Sequence, residues 1–484
     1  MSGASNPIHA SPVEDGRKEL TAPATSEQEV DVVIEALGTG RWQYFLVLLL
    51  GMLFLADSVE VSLLSFLYEC VGAAFDLSEV EAASVVSIVF GGEIVGAVLA
   101  GAVSDQRGRK EVALVSGFGV AAFGLASAFS PDFGTFVAAR GLVGVFLGTF
   151  AVPFDLLAEM LPAATRGKAL VWLEVGWALG AMYACAAAWA TLTVSSWRAL
   201  TVACALPPAL VFAGLLYCLD ESPRFLLDRG RRAEAVRIFE RVAKKNGMEG
   251  DARVSAAIAD LAAAGNERSS VAPKAEGGGS AVAVALAKFA ELFEAALRGV
   301  TLPVWVIWFS FGLNYYGVTL LVTRVYAATD DDDDFKCNFK YGIIFATFSA
   351  ELLGALLLVP AIDGVGRVRS QVASYAATAL ALLPVGLGAT DGPGAFACLF
   401  VSLATATAAC SATWVHVAEL YPTHVRSTAH TAAYVVSRLG AFLSSYVVDS
   451  GLSVAAAAWV LLLVAALAAL ASLALKETTN LRLD

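Results

Sequence analysis

The stretch FLVLLLGMLFLADSVEVSLLSFLYEC, residues 45–70, reads as one apolar helix long enough to cross a bilayer, yet it carries Asp57 and Glu60. A carboxylate at the centre of a hydrocarbon layer costs about 2.5–3.5 kcal/mol on insertion scales, so an acid there marks a polar interior or a function. At about 1.5 Å per residue, Asp57 lies roughly 22 Å along the helix from Trp42, a little past the midplane. Glu60 follows at i+3, so both carboxyls are expected on one face, turned to an interior cavity rather than to lipid. The alternative is that one of them pairs with a buried arginine and only holds helices together.

The rest of the chain has the same character. Of its 484 residues 58% are hydrophobic and only 16% charged, and mean hydropathy is +0.69. A soluble chain of this size could not bury that share of apolar surface. Twelve apolar runs are each long enough to span about 30 Å of hydrocarbon: 42–66, 82–103, 111–130, 134–157, 168–191, 197–219, 299–323, 341–361, 370–390, 394–417, 428–448 and 452–475. An all-α membrane protein follows. Residues 1–40 are polar, show no signal-peptide core and are expected to form a disordered tail on the side of synthesis. Lys and Arg in the short loops set the orientation. A cytosolic N-terminus puts Arg107, Arg109, Lys110, Arg166, Lys168, Arg367, Arg369 and Arg426 inside, and both termini with them. Arg198, Lys336, Lys340 and the acidic run at 330–334 fall on the other side. That run lacks the alternating spacers of an EF-hand loop and reads as a solvated segment.

The two halves are copies. EIVGAVLAGAVSDQRGR (93–109) aligns without a gap on ELLGALLLVPAIDGVGR (351–367), at a constant offset of 258. EMLPAATR and ELYPTHVR place Glu159, Pro162 and Arg166 against Glu419, Pro422 and Arg426 at nearly the same offset. The organisation expected is a tail (1–40), a six-helix bundle (41–219), a cytosolic connector of short helices and linker (220–298), a second six-helix bundle (299–475) and a short cytosolic tail (476–484). No G-x-x-x-x-G-K-[ST] occurs, so no nucleotide is expected to drive the protein. The seven cysteines have no metal spacing, and no cofactor, metal or nucleic acid is indicated. Cys70 and Cys337 lie near the outer ends of helices, where a disulfide joining the halves is left open.

GAVSDQRGRK (101–110), its mirror DGVGR (363–367), ARGLVGVFLG (139–148) and DESPRFLL (220–227) resemble signatures of the major facilitator superfamily. GTGRWQYFLVLLLGMLFLADSVEVSLLSFL (38–67), WFSFGLNYYGVTLL (308–321) and FSAELLG (348–354) are similar to its synaptic-vesicle-two-related branch, beside the sugar and organic-ion members. Gln106 and Glu111 depart from the usual loop pattern, and the second copy lacks a glycine matching Gly101. The resemblance implies twelve membrane helices in two pseudo-symmetric six-helix bundles, a monomer, and a cavity between the halves exposed alternately to either side.

Candidates for contact with substrate or protons are the intramembrane polar groups. They are Asp57, Glu60, the repeat-equivalent Glu93 and Glu351, and Glu174. Asn314, Tyr315 and Tyr316 join them from a seventh span broken by Gly312 and Gly317. Arg140 is the intramembrane cation of the first half, with Arg438 read as its counterpart in the second; a buried guanidinium needs a carboxylate, and Asp57, Glu60 or Glu174 would serve Arg140. Trp172, Trp305 and Trp308 read as core or interfacial anchors before liners. Asp105, Arg109, Glu159, Arg166, Asp363, Arg367, Glu419 and Arg426 sit at cytosolic helix ends and are expected to form the inner gate.

The reading is a secondary active transporter of a small organic solute, an organic ion above others, with protons as a coupled ion. Neither its direction nor its membrane, plasma or vesicular, is legible. The rival is a transporter-shaped scaffold or receptor. An enzyme is disfavoured: no nucleophile–base arrangement appears, and there are four histidines in all.

Overall fold

The computed structural model describes residues 26–149, 151–268, 281–327, 337–449 and 451–478. Eighteen helices account for nearly all of them, and the one β-bridge among the described residues pairs Ala327 with Phe339. The first half holds α2 (Arg41–Ala74), α3 (Glu79–Arg107), α4 (Arg109–Ala128), α5 (Phe133–Leu147) with α6 (Ala151–Glu159), α7 (Ala163–Leu192) and α8 (Trp197–Cys218). The second holds α13 (Arg298–Val325), α14 (Tyr341–Gly364), α15 (Arg367–Gly386), α16 (Gly392–Leu420), α17 (Thr423–Asp449) and α18 (Val454–Ser472). Outside the bundles lie α1 (Ser26–Leu37), α9 (Pro223–Asp228), α10 (Arg232–Lys245), α11 (Ala252–Arg268) and α12 (Ala281–Glu291).

Local chemistry sets the starts of these helices. Ser78 and Glu81 form a capping box at α3, and Asp132 and Ser453 accept first-turn N–H groups at α5 and α18. Among the described residues eleven spans are long and apolar enough to cross a membrane, α5 and α6 counting together as one. The twelfth position is filled by α15. It falls short because its first five residues are Arg367, Val368, Arg369, Ser370 and Gln371.

The duplication read in the sequence is visible in the packing. α2 lies along α7 as α13 lies along α17; α3 and α5 pair as α14 and α16 do; α4 and α8 pair as α15 and α18 do. Glycines permit the closest of these approaches. A Cβ on Gly180 of α7 would strike the Leu55 carbonyl, and one on Gly312 of α13 would strike that of Ser437. The halves meet through α3 against α17 and α7 against α14.

One expectation changes. The tail is not unstructured throughout, because residues 26–37 form α1. Val30, Val33, Ile34 and Leu37 follow the i, i+3, i+4, i+7 spacing of one helix face and are buried, with α1 against α9 and α11. Asp31 and Glu29 pair with Arg224 and Arg232 at 2.5 and 2.9 Å. Residues 1–25, the acidic run at 330–334, Lys336 and residues 479–484 lie outside the described residues.

Candidate functional site

A narrow cavity sits between the halves, midway along the spanning helices α2 and α13. It is lined by Phe54, Asp57, Glu174 and Trp177 from the first half and by Phe311, Tyr315, Tyr316, Cys410, Trp414, Tyr434 and Arg438 from the second. Its free volume of about 20 Å³ admits a water or so. No hydrogen bond or ion pair holds Asp57 or Glu174 among the described residues, although both are buried. Two carboxyls therefore face an otherwise mostly aromatic box.

The remaining sequence candidates divide by where their helix turns them. Glu60 does not share the cavity with Asp57. Three residues along a helix rotate a side chain by about 60° from the starting face, and here that carries Glu60 back into the first half. There it pairs with Arg140 at 2.8 Å, both side chains fully buried. Asn314 likewise misses the cavity: its Nδ2 donates to the Leu461 carbonyl of α18 at 2.7 Å. Tyr315 and Tyr316, the next two residues of α13, line it.

Arg438 is not the positional counterpart of Arg140. Arg140 lies on α5, in the fourth span of the first half, whereas Arg438 lies on α17, the fifth span of the second and the partner of α7 in the repeat. Its partner crosses the seam. Arg438 meets Glu93 of α3 at 3.0 Å and donates to the Tyr316 hydroxyl at 2.5 Å. Its guanidinium carbon stands 4.4 and 5.2 Å from the ring centroids of Tyr434 and Tyr316. The Tyr434 hydroxyl donates to the same Glu93 oxygen at 3.2 Å. Glu351, the repeat equivalent of Glu93, has a neutral partner: it accepts from the Tyr315 hydroxyl at 2.9 Å. That hydroxyl accepts from Trp177 Nε1 of the other half at 2.5 Å.

Of the three tryptophans, Trp172 is exposed on the outside of the bundle, Trp305 packs on Phe293 and Trp308 is buried against Trp414 and His430. His430 also meets Asp155 of the other half at 3.4 Å. Sequence reasoning missed the lining residues Trp177, Trp414 and Tyr434. Nothing in their sequence context separates them from core aromatics.

At one end of the bundle, where α3 turns into α4 and α14 into α15, the expected gate residues form two matching clusters. Arg109 faces Glu159 at 3.7 Å, and Arg367 makes two bonds of 3.0 Å to Glu419 and one of 3.0 Å to Asp363. Arg166 donates to the Leu161 carbonyl, as Arg426 does to that of Tyr421, each at 3.2 Å. The Asp105 side chain lies outside the described residues. Lys168, which sequence reading used only for orientation, reaches Asp363 across the seam at 3.8 Å.

Two acids were missed here. Glu221 accepts the N–H groups of Arg109 and Lys110 that open α4, and Glu477 accepts those of Arg367 and Val368 that open α15. Ser222 and Thr478, the next residues, donate to Glu159 and Glu419. Gly108 and Gly366 lead into these helices with φ of 101° and 106°; a Cβ on either would collide with the carboxylate of Glu221 or Glu477. The signal was present as ES (221–222) and ET (477–478) after the last helix of each half.

The opposite end carries a covalent link. Cys70 of α2 and Cys337, just before α14, form a disulfide between the halves, with Cα atoms 4.9 Å apart.

Comparison with known proteins agrees with this architecture. The profile of the family described as sugar (and other) transporter matches residues 42–476. The synaptic vesicle 2-related protein of Rattus norvegicus is 29% identical over 461 residues, covering 91% of this chain and 79% of the relative. The organic cation/carnitine transporter 7 of Arabidopsis thaliana is 29% identical, covering 86% of each. Among solved structures, the proton:xylose symporter XylE bound to 6-bromo-6-deoxy-D-glucose superposes with a TM-score of 0.70 at 19% identity, covering 91% of this chain and 98% of that one. At that identity the likeness establishes the fold. With twelve helices in two matched sets and a profile match running nearly end to end, the chain belongs to the sugar (and other) transporter family of the major facilitator superfamily, as a multi-pass membrane transporter and not an enzyme.

Proposed function

We propose that the protein is a secondary active transporter of a small organic ion, with a cation favoured, working by alternating access and coupled to protons. The observation that carries this is the pair Asp57 and Glu174, two carboxyls facing an aromatic-walled cavity with no partner among the described residues. Intramembrane acids without partners are costly. A positively charged nitrogen bound between them, against the faces of Trp177, Tyr315 and Tyr316, would offset that cost. Arg438 does not reverse the sign of the site, because Glu93 already neutralises it. Coupling would run through Asp57 and through Glu351, whose only bonded neighbour among the described residues is a phenol. A buried carboxyl without a cation beside it can hold a proton in one state and shed it in another. The Glu60–Arg140 pair is a closed unit inside the first half and serves better as scaffold for α2.

The gate end would face the cytosol. The basic short loops support this, and so does the disulfide at the far end, since such bonds persist on the oxidising side of a membrane. The exposed thiol of Cys218 then resists an impermeant maleimide in intact cells. Uptake of organic cations into vesicles with and without a pH gradient, wild type against Asp57→Asn, tests the main reading. Reduced beforehand with dithiothreitol, the wild type should accumulate cation only with the gradient, and Asp57→Asn should lose at least tenfold in uptake. Equal rates in all four conditions would remove both the proton and the site.

A further inference from the structure

The disulfide is placed where it acts on motion. A bond within one half would leave the rocking of the halves untouched; Cys70–Cys337 crosses the seam. Cys337 does not sit on a free loop. The bridge from Ala327 to Phe339 and the bond from Lys340 N to the Tyr326 carbonyl, 2.9 Å, fasten it to the end of α13. Cys70 belongs to α2, the same unbroken helix that carries Asp57 into the cavity about 20 Å away. Around the bond the halves interlock. Phe66 meets Phe339 edge-on at 5.2 Å, Trp189 stacks on Tyr341, and the Tyr68 hydroxyl donates to the Asp449 carbonyl at 2.7 Å.

We propose that Cys70–Cys337 is a latch that keeps the cavity shut toward the disulfide end, and that alternating access begins when it is reduced. This rests on the transport reading above. Disulfides hold Cα atoms within about 6.8 Å, so from 4.9 Å this corner can widen by only about 2 Å while the bond is intact. That is too little to admit an organic ion beside α2. Release is thiol–disulfide exchange with a dithiol. A thiolate attacks one sulfur and a mixed disulfide forms; a second thiolate then resolves it. Two electrons and two protons convert the cystine to two thiols, and the dithiol leaves as a disulfide. Cys70 and Cys337 are buried, so exchange is slow and the latch sets the protein's state across many turnovers rather than switching within each.

Cys410, in the cavity wall, is a built-in reporter. The full-length protein in vesicles of known orientation is exposed to an impermeant cationic methanethiosulfonate, and labelling of the Cys410 peptide is timed by mass spectrometry. From the disulfide side, oxidised wild type should label at least tenfold more slowly than Cys70→Ser/Cys337→Ser. It should also label that much more slowly than wild type reduced with dithiothreitol and then freed of it. Reoxidation should restore the slow rate, which keeps the result independent of how well the double variant folds. Equal rates before and after reduction, with Cys410 still labelled from the gate side, overturn the latch and leave the transport reading standing. No labelling from either side in any form overturns both.

Discussion

Glu93 and Glu351 hold the same position in the two halves, buried alike, yet their neighbours differ in kind. Glu93 reaches across the seam to a cation, Arg438, which is sandwiched between two tyrosines. Glu351 accepts a bond from Tyr315 of its own half, and that same hydroxyl accepts from the indole of Trp177 in the other half. The gate end shows the reverse. There Gly108 matches Gly366, Arg109 matches Arg367, and Glu159 with Ser222 matches Glu419 with Thr478. A carboxylate, Glu221 or Glu477, caps each following helix. The turns that open α4 and α15 are kept as copies, because each half faces the same mechanical demand there. Behind the cavity the two acids have diverged, because the residues that line it differ between the two halves.

The largest effect should come from breaking the charged member of the unequal pair. Glu93→Gln strips Arg438 of its counter-charge in a buried setting, which costs about 3–5 kcal/mol. A marked fall in melting temperature in detergent and loss of uptake are expected. Adding Arg438→Met replaces the stranded cation with an apolar chain and should restore most of the stability, but not uptake. A Glu93→Gln protein as stable as wild type would dissolve the contrast between the two acids.

The gate copies predict equality. Removing Glu221 leaves the N–H groups of Arg109 and Lys110 without their acceptor, and removing Glu477 does the same to Arg367 and Val368. Each loss should cost about 1–3 kcal/mol. The two should also add within about 0.5 kcal/mol in a double variant, since the caps bond different backbone N–H groups in different halves. Thermal melts of Glu221→Ala, Glu477→Ala and the double variant check this, and a silent member would show that the two ends are copies in sequence only.

These contrasts also mark what was legible beforehand. The twelve spans could be read because lipid demands unbroken apolar helices, and the repeat because Gly108 and Gly366 anchor the same turn at a fixed offset. The gate arginines and acids followed from that alignment. The cavity did not. Whether Asp57 or Glu60 faces it depends on about 60° of helix rotation, which tertiary packing decides. Arg438 was read as matching Arg140 because each is a lone cation in its half, but the repeat pairs α17 with α7, and only the assembled seam brings Glu93 to it. α1 was missed although its 30, 33, 34, 37 periodicity was on view, because the polar composition around it masked a face that docks on α9 and α11.

The smallest structural effect should accompany Glu351→Gln, and its outcome sharpens the comparison most. The amide oxygen can still accept from the Tyr315 hydroxyl, so the Trp177–Tyr315 relay across the seam survives. Stability should change by less than about 1 kcal/mol, in the range of an exchanged neutral hydrogen bond. The side chain, however, can no longer take up or release a proton. Counterflow of substrate, which needs binding and rocking but no net proton movement, should continue within about twofold of wild type, whereas accumulation driven by a pH gradient should vanish. Were Glu351 only a packing acid, both would persist, and coupling would fall to Asp57 alone. Were counterflow lost as well, Glu351 would belong with Glu93 as a fixed strut, and the two halves would be more alike at their centre than their partners indicate.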